Sequence, residues 1–303
     1  GKLSVKGSVL TGFSSFGIAL WSEPGQKIEA EINNSVISNI YGLGTEFSGH
    51  AVYGEGPLDL EISKSEISNT DSTFLYISSD KDAFLKLVDV TLKNILLNSG
   101  EQGGIVLDGN IKAQINRVQI TDSRGNGVFS KGSSITGSDL SIDSVSVDGL
   151  SSNGFGMMLF DGSEMELNRI EISNSKVAGI LLDGKCRAEI ENFIISETQS
   201  DPDILEFGVG AAVQDGAEIM LKNGVVTGNR ESGLMAVNGR IELENVLIKN
   251  THPRECAQKN SCVFEPGVPF GHGISLYQRS SLVFSDMTVS DNRNSHVTKY
   301  KTR

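Results

Sequence analysis

The residue best suited to acid–base chemistry is His272, which lies in the segment Phe-Gly-His-Gly-Ile-Ser-Leu. A second polar motif consists of Asn69, Thr70 and Asp71. Histidines and carboxylates can transfer protons at a glycosidic bond, where one acid protonates the leaving oxygen and another group activates water. The two motifs stand near opposite ends of the chain, and no two aspartates are adjacent in the sequence. We therefore assign no catalytic residue and retain His272 as the single candidate.

Calcium would be needed if the chain cleaved acidic polysaccharides by elimination, a reaction that uses a Lys or Arg base beside clustered carboxylates. The most acidic loop spans residues 197–206 and contains Asp201, Asp203 and Glu206. Pro202 separates its two aspartates, as in an ordinary surface loop. We expect no cofactor, and these three carboxylates are the candidates if calcium binds.

Cysteine chemistry is concentrated in the longest loop, residues 249–272, which holds Cys256 and Cys262. A disulfide between them would staple the loop and would place the protein outside the cytoplasm. His252 and His272 stand in the same segment, so zinc is an alternative, although structural zinc sites use tighter cysteine pairs. Free thiols are the third reading, and we favour the disulfide.

A repeat positions these residues. One phrase returns along the chain: a small residue, an aliphatic strand, a turn that is often Asp-Gly, a second alternating strand, then a bend and a third strand. A period between roughly 20 and 50 residues built from short strands indicates a β-solenoid. About ten coils are counted from the first residues of the repeats, which are Gly17, Ala51, Thr73, Gly104, Gly127, Gly156, Gly179, Gly210, Gly233 and Gly273.

Each coil is predicted to contain three strands, because apolar residues alternate with polar ones in three short runs and alternate side chains face opposite sides of a strand. Long and short coils alternate, and the extra residues always precede the next repeat, so the long loops should leave the solenoid at one corner. Asparagines between the second and third strands should occupy a left-handed bend and form an amide ladder. These asparagines are Asn34, Asn116, Asn168, Asn192, Asn223 and Asn245.

With these features the chain resembles the right-handed parallel β-helix proteins of the pectate-lyase-like superfamily. The resemblance implies an all-β, right-handed parallel β-helix and leaves the activity open, because the superfamily contains lyases, hydrolases, epimerases, adhesins and inert scaffolds. The Gly-His-Gly at His272 and the Asn-Thr-Asp ending at Asp71 also resemble polygalacturonase motifs. In that family the motifs are a coil or two apart with an Asp-Asp pair between them, and this chain departs from both features.

The charge composition limits the classes of binding partner. The formal net charge is −12 with only 26 Lys and Arg residues, which argues against nucleic acid and anionic membranes. No segment has the roughly 18 apolar residues of a membrane span. Residues 1–303 form one predicted domain, and residues 2–12 have the pattern of later strands, so we expect a piece of a longer protein whose open coil ends favour self-association. The polar tail from residue 295 should lie outside the repeat.

The strongest functional signal is a break in the alternation. The outward position of the first strand is apolar in most coils, whereas the other strands carry charged residues outside. The predicted contact residues on this wall are Val106, Phe129, Met158, Leu181 and Met235, with Trp21, Phe160 and Tyr277 two residues further along their strands. Such a stripe must be covered. Three covers remain open: the long loops, with Leu96, Leu97, Phe155, Ile204, Leu205 and Phe207 as plugs; a partner or second copy; or a ligand.

We interpret the chain as a non-catalytic extracellular or cell-surface scaffold that binds carbohydrate or protein through the first sheet and the long loops. The alternative is a polysaccharide lyase or glycoside hydrolase with a site under the long loops. The scaffold is favoured because the first-strand wall lacks the charges that either reaction requires.

Overall fold

A computed structural model describes residues 1–23, 25–43, 48–96, 103–147, 153–202, 207–253 and 270–299. Within these ranges the secondary structure consists of β-strands and turns, without a helix. The strands are β1 (Lys2–Lys6), β2 (Val9–Thr11), β3 (Phe16–Trp21), β4 (Ile28–Asn33), β5 (Val36–Ile40), β6 (His50–Glu55), β7 (Leu58–Thr70), β8 (Leu75–Ile95), β9 (Ile105–Arg124), β10 (Asn126–Lys131), β11 (Ser134–Ser146), β12 (Phe155–Phe160), β13 (Glu164–Ser173), β14 (Ala178–Asp183), β15 (Arg187–Ser196), β16 (Val209–Gln214), β17 (Glu218–Thr227), β18 (Ser232–Val237), β19 (Arg240–Lys249), β20 (His272–Tyr277), β21 (Ser281–Ser285), β22 (Thr288–Ser290) and β23 (Val297–Lys299).

The strands stack in parallel, each pairing with its counterpart one coil later, so the chain is a parallel β-helix as predicted. Each coil contributes to three faces. The first sheet contains β3, β6, β10, β12, β14, β16, β18, β20, β23 and the first parts of β8 and β9. The second sheet begins at β1 and the third at β2, and long strands such as β9 run through more than one sheet. Along the chain the first corner joins the first sheet to the second, and the third corner joins the third sheet back to the first.

The interior consists of aliphatic side chains stacked in register, which confirms the predicted inward positions. Adjacent coils place one apolar residue directly over the next, and the column at the start of the first sheet is buried from Ile105 to Ile274. This column contains Ile105, Val128, Met157, Ile180, Ala211, Leu234 and Ile274. These residues belong to one hydrophobic core that extends along the coils. Burying a Val, Leu or Ile side chain contributes about 1.5–3 kcal/mol, so each added coil extends the core and its stability.

The second corner confirms the left-handed bend and corrects two of its residues. Asn192, Asn223 and Asn245 have positive φ angles there, whereas in two other coils Arg117 and Arg169 hold that position instead of the preceding asparagine. An arginine accepts this strained conformation because each guanidinium forms a two-pronged ion pair with an aspartate one coil earlier. The amide ladder is present in pairs, since Asn245 Nδ2 donates to Asn223 Oδ1 at 3.0 Å.

The third corner is where the long loops leave, as predicted. Long connections follow β5, β8, β11, β15 and β19, and short ones follow β7, β9, β13 and β17. An asparagine ladder lines this corner at Asn39, Asn69 and Asn94, all with positive φ.

The polar tail does not lie outside the repeat as expected. Val297–Lys299 forms β23, which pairs with β20 on the first sheet. The pairing places Val297 opposite Ile274 and Thr298 opposite Ser275, so the tail continues the first-sheet columns.

Candidate binding site

The wall predicted from the sequence is a single register column on the outer face of the first sheet. Consecutive coils place one outward side chain beside the next from β3 to β20. Its members are Ala19, Tyr53, Tyr76, Val106, Phe129, Met158, Leu181, Ala212, Met235 and Ser275. Sequence reasoning missed Tyr53 and Tyr76.

The miss at Tyr76 has a simple cause. The third coil was counted from Thr73, but Phe74 occupies the place that Gly104 has in the next coil, and its side chain is buried. The register therefore shifts by one residue, and Leu75 points inward while Tyr76 points outward. The alternation of Leu75 with Ile77, matching Ile105 with Leu107, was the signal that could have revealed it.

The centre of this column is largely covered. Val106 is 1% exposed and Phe129 6%, so neither offers a surface to a ligand. Met158, Leu181 and Met235 are half-buried.

A satellite cluster of Ala178, Val209 and Ala212 packs against Phe155, Leu181 and Met235. Phe155 therefore packs on the wall, but it does so as the first residue of β12 and not from a long loop, so the loop cover stays a prediction. Leu96 and Phe207 remain exposed. The other suggested plugs, Leu97, Ile204 and Leu205, lie outside the described residues.

The N-terminal end of the same face carries an aromatic cluster of Phe16, Trp21, His50, Tyr53 and Tyr76. Phe16 contacts Trp21 edge-on with ring centroids 5.6 Å apart, and Tyr53 stacks on Tyr76 at 5.3 Å with nearly parallel planes. Tyr53 also lies 5.2 Å from Phe16 and 5.9 Å from Trp21. These separations are those of favourable aromatic pairs, so the rings form a continuous packed platform.

The edge of this platform is open to a ligand. Trp21 is 56% exposed and stands in register with Glu55 on the next coil. The Tyr53 hydroxyl donates to Glu55 Oε2 at 3.1 Å, which holds the carboxylate beside the aromatic rings. Ser78 follows Glu55 in the same column. The arrangement places the exposed side chain of Trp21 beside a carboxylate and a hydroxyl group.

A cleft of about 210 Å³ adjoins the platform at the first corner. It is lined by Ser22, Glu55, Gly56, Pro57, Ser78, Ser79, Asp80 and Lys81. One wall is a bulge in β8, where the register shifts and residues 80–82 stand opposite Asn110 alone. Asn110 Nδ2 donates to Asp82 Oδ1 at 2.7 Å, which anchors the bulge. β-Bulges commonly re-aim side chains beside functional sites.

The three predicted platform residues share one column but do not form one surface. Phe160 lies five strands from Trp21, and Tyr277 lies four strands beyond Phe160. At about 4.8 Å per strand these steps are roughly 24 Å and 19 Å. Of these three residues, only Trp21 belongs to the aromatic cluster.

The structure places the catalytic candidate far from its partner motif. His272 is 2% exposed and begins β20, whereas Asn69 and Asp71 lie at the end of β7, eight coils away and so roughly 38 Å distant. His272 Nδ1 is hydrogen-bonded to the hydroxyls of Ser295 and Thr298, the latter at 3.2 Å.

The Asn-Thr-Asp motif has a structural explanation. Asn69 belongs to the asparagine ladder of the third corner, and Thr70 is buried. Asp71 Oδ2 accepts the backbone N–H of Gly42 at 2.9 Å, which ties one coil to its neighbour.

The remaining candidates fall largely outside the described residues. Asp203 and Glu206 lie there, while Asp201 is buried. In the described ranges no group of three or more His, Cys, Asp or Glu side chains could hold a metal ion. Cys256 and Cys262 also lie outside these ranges, so their disulfide stays a prediction.

Cys186 is buried, as its inward position requires. Its Sγ donates to Asp183 O at 3.1 Å, and burial raises the pKa of the thiol above its usual value. No helix in the described part of the chain is long and apolar enough to cross a membrane.

Comparison with protein-family models agrees with the fold. The Beta_helix family model, described as a right handed beta helix region, matches residues 84–252. The periplasmic alginate epimerase AlgG is a similar solved structure, with 11% identity, 91% of this chain and 77% of that chain covered, and a TM-score of 0.43. A double mutant of the same epimerase gives 12% identity, coverages of 90% and 76%, and a TM-score of 0.47.

The catalytic domain of a GH87 alpha-1,3-glucanase in complex with nigerose is also similar. It shows 11% identity and a TM-score of 0.37, with 98% of this chain and 62% of that chain covered. No curated protein matches the chain in sequence.

Proposed function

Since this chain belongs to the family of right-handed β-helix regions, we propose that it is a non-catalytic module that binds polysaccharide through the outer face of its first sheet. The contact is centred on Trp21, at the N-terminal end of that face. The proposal includes an extracellular or cell-surface location, where such ligands occur and where the Cys256–Cys262 disulfide would form.

The observation that carries this proposal is the exposed side chain of Trp21 beside Glu55. Aromatic rings bury the apolar C–H face of a sugar, while nearby carboxylates and hydroxyls bond its hydroxyl groups. Trp21 is backed by Phe16 and Tyr53, so the platform is preorganised and loses little side-chain entropy on binding. A protein partner would more naturally use a broad apolar patch, and the apolar centre of this wall is buried at Val106 and Phe129.

The test is binding to a panel of soluble polysaccharides and their oligomers, measured by calorimetry. Trp21→Ala should lower the affinity for the bound polysaccharide at least about tenfold, which corresponds to about 1.4 kcal/mol. Phe284→Ala is the matched control, because Phe284 is 57% exposed and lies at the other end of the solenoid. Absence of binding throughout the panel, or equal binding by Trp21→Ala, would refute the proposal.

A second candidate is a polysaccharide lyase or glycoside hydrolase that uses the cleft beside the platform. The observation favouring it is that Glu55, Asp80 and Lys81 line that one cleft, which supplies two carboxylates and a base. This cleft lies at the first corner, whereas the long loops leave at the third. Reducing-sugar and unsaturated-product assays, with and without calcium, test it. Turnover that is lost in Glu55→Gln or Asp80→Asn would replace the binding module with an enzyme.

A further inference from the structure

Glu55 is positioned to recognise a charged group on the ligand. Its carboxylate stands next to the exposed ring of Trp21 and faces the cleft. Tyr53 hydrogen-bonds Oε2, and within the described residues Glu55 forms no ion pair. Among the described residues, no lysine or arginine therefore forms an ion pair that neutralises the negative charge at the platform edge.

The surroundings of the cleft have an acidic balance. Asp80 lines the same cleft as Glu55. A second depression adjoins this cleft and is bordered by Asp82. Lys81 is the basic residue that lines both. Lys27, which borders that depression, is paired with Asp59 at 2.7 Å. The whole chain has a formal net charge of −12. A polymer of uronic acids would bring further carboxylates into this field and would be repelled.

A protonated amine is the group that fits both the ring of Trp21 and the carboxylate of Glu55. The face of a tryptophan attracts a cation through its ring quadrupole, and a carboxylate beside it adds a charge-assisted hydrogen bond. Trp21 and Glu55 supply these two features on neighbouring strands, about 4.8 Å apart in the stacking direction. A sugar that carries an amino group could stack on the ring and place its ammonium at the carboxylate.

We propose that the polysaccharide bound at the Trp21 platform is built from amino sugars with free amines, and that Glu55 is the residue that selects them. This inference rests on the proposed binding function. It assigns the substrate class by charge: cationic sugars are favoured, neutral sugars bind more weakly through stacking alone, and uronic-acid polymers are excluded.

The experiment compares three hexasaccharides at physiological ionic strength: β-1,4-linked glucosamine, its N-acetylated counterpart and galacturonic acid. The first two differ in the acetyl group on nitrogen, which removes the positive charge of the amine. We expect glucosamine to bind at least about tenfold more tightly than the N-acetylated oligomer, and galacturonic acid not to bind. Glu55→Gln should remove the preference for glucosamine, so that the variant binds the free and the N-acetylated oligomers with similar affinity.

The control variant is Glu164→Gln, because Glu164 is exposed on the second sheet and its loss changes the net charge equally. An equal loss of glucosamine binding in Glu55→Gln and Glu164→Gln would show unspecific attraction to an acidic protein and would overturn the inference. Equal affinity for the acetylated and free amines would overturn it too, while leaving the binding function intact. Failure of every oligomer, together with the wider panel, would instead refute the binding function itself.

Discussion

The ring of Phe193 occupies the space that a side chain at Gly224 would fill. The two residues are register partners on adjacent coils of the third sheet. A Cβ atom added to Gly224 would lie 2.3 Å from Cδ1 and Cε1 of Phe193, far inside van der Waals contact. The neighbouring coils place Ile170 and Val246 in the same column. The large ring of Phe193 and the missing side chain of Gly224 therefore compensate each other in one apolar column.

Gly224→Ala should therefore destabilise the protein by about 1–3 kcal/mol, the usual cost of overpacking a core. Phe193→Leu in the same chain should recover most of this loss, because it withdraws the ring from the added methyl group. Thermal unfolding followed by circular dichroism measures both variants. A Gly224→Ala protein as stable as the wild type would mean that the Phe193 ring moves aside without cost.

Ion pairs between arginines and aspartates of adjacent coils form a second ladder, at the second corner. They predict that the stability of the fold decreases in acid. The hydrogen bonds from Arg169, followed by that from Ser138, lower the pKa of Asp139 from its usual value of 3.8 to about 2. A carboxyl group whose pKa is depressed by folding stabilises the folded state above its unfolded pKa, and this contribution is lost as the pH falls toward the folded pKa. The relevant window is therefore about pH 4 to 2.

Asp139→Asn should make the protein slightly less stable at neutral pH and should flatten its loss of stability between pH 4 and 2. The effect should be small and should shrink with added salt, because both partners are exposed to solvent. Melting temperatures over that range, with Asp161→Asn as a comparison outside the ladder, measure it. Parallel pH profiles for Asp139→Asn and the wild type would contradict the prediction.

The asparagine ladder at the third corner can be separated into its backbone and side-chain parts. Asn69 has a φ of 55°, donates to Asn39 at 3.3 Å and accepts from Asn94 at 2.6 Å. Asn69→Ala should cost roughly 1–2 kcal/mol for the left-handed backbone, in addition to the lost hydrogen bonds. Asn69→Gly removes only the bonds. A glycine variant as unstable as the alanine variant would assign the stability to the amide ladder and not to the bend.

Most of the fold could be predicted from the sequence because the repeat states it many times. Inward aliphatic residues, corner glycines and alternating loop lengths each recur in several coils. An error in the register of one coil therefore does not change the predicted fold. The exceptions are local. Phe74 replaces the usual glycine and hides the register of Tyr76, and Arg117 takes a bend that asparagine was expected to hold because its ion pair with Asp89 compensates the strain.

The site was harder to predict for a physical reason. A binding surface depends on which outward residues are uncovered, and that is decided by contacts between coils that the repeat does not encode. Val106 and Phe129 have the pattern of exposed wall residues but are buried. The aromatic cluster joins Phe16, Tyr53 and Tyr76 from three different coils, and its members are far apart in the sequence.

The disulfide predicted between Cys256 and Cys262 can be tested directly. Mass spectrometry of the unreduced protein should show the loss of one hydrogen atom from each of the two thiols, and a peptide that links both cysteines. The buried Cys186 should stay reduced, because its thiol is shielded and its pKa is raised. Three free thiols would contradict the disulfide and the extracellular location that it supports. Stoichiometric zinc would show that the loop binds a metal ion and forms no disulfide.

Tyr53 connects the packing of the platform with its chemistry, so it separates the two contributions to binding. Tyr53→Phe retains the stack on Tyr76 and removes the hydroxyl that donates to Glu55 Oε2. A hydrogen bond to a charged group contributes about 1.5–3 kcal/mol when shielded and less at a solvent-exposed edge. We therefore expect the affinity for the bound oligosaccharide to fall about three- to tenfold while the melting temperature changes little. Unchanged affinity would show that Glu55 needs no support from Tyr53, and a large drop in melting temperature would place Tyr53 in the stability of the fold.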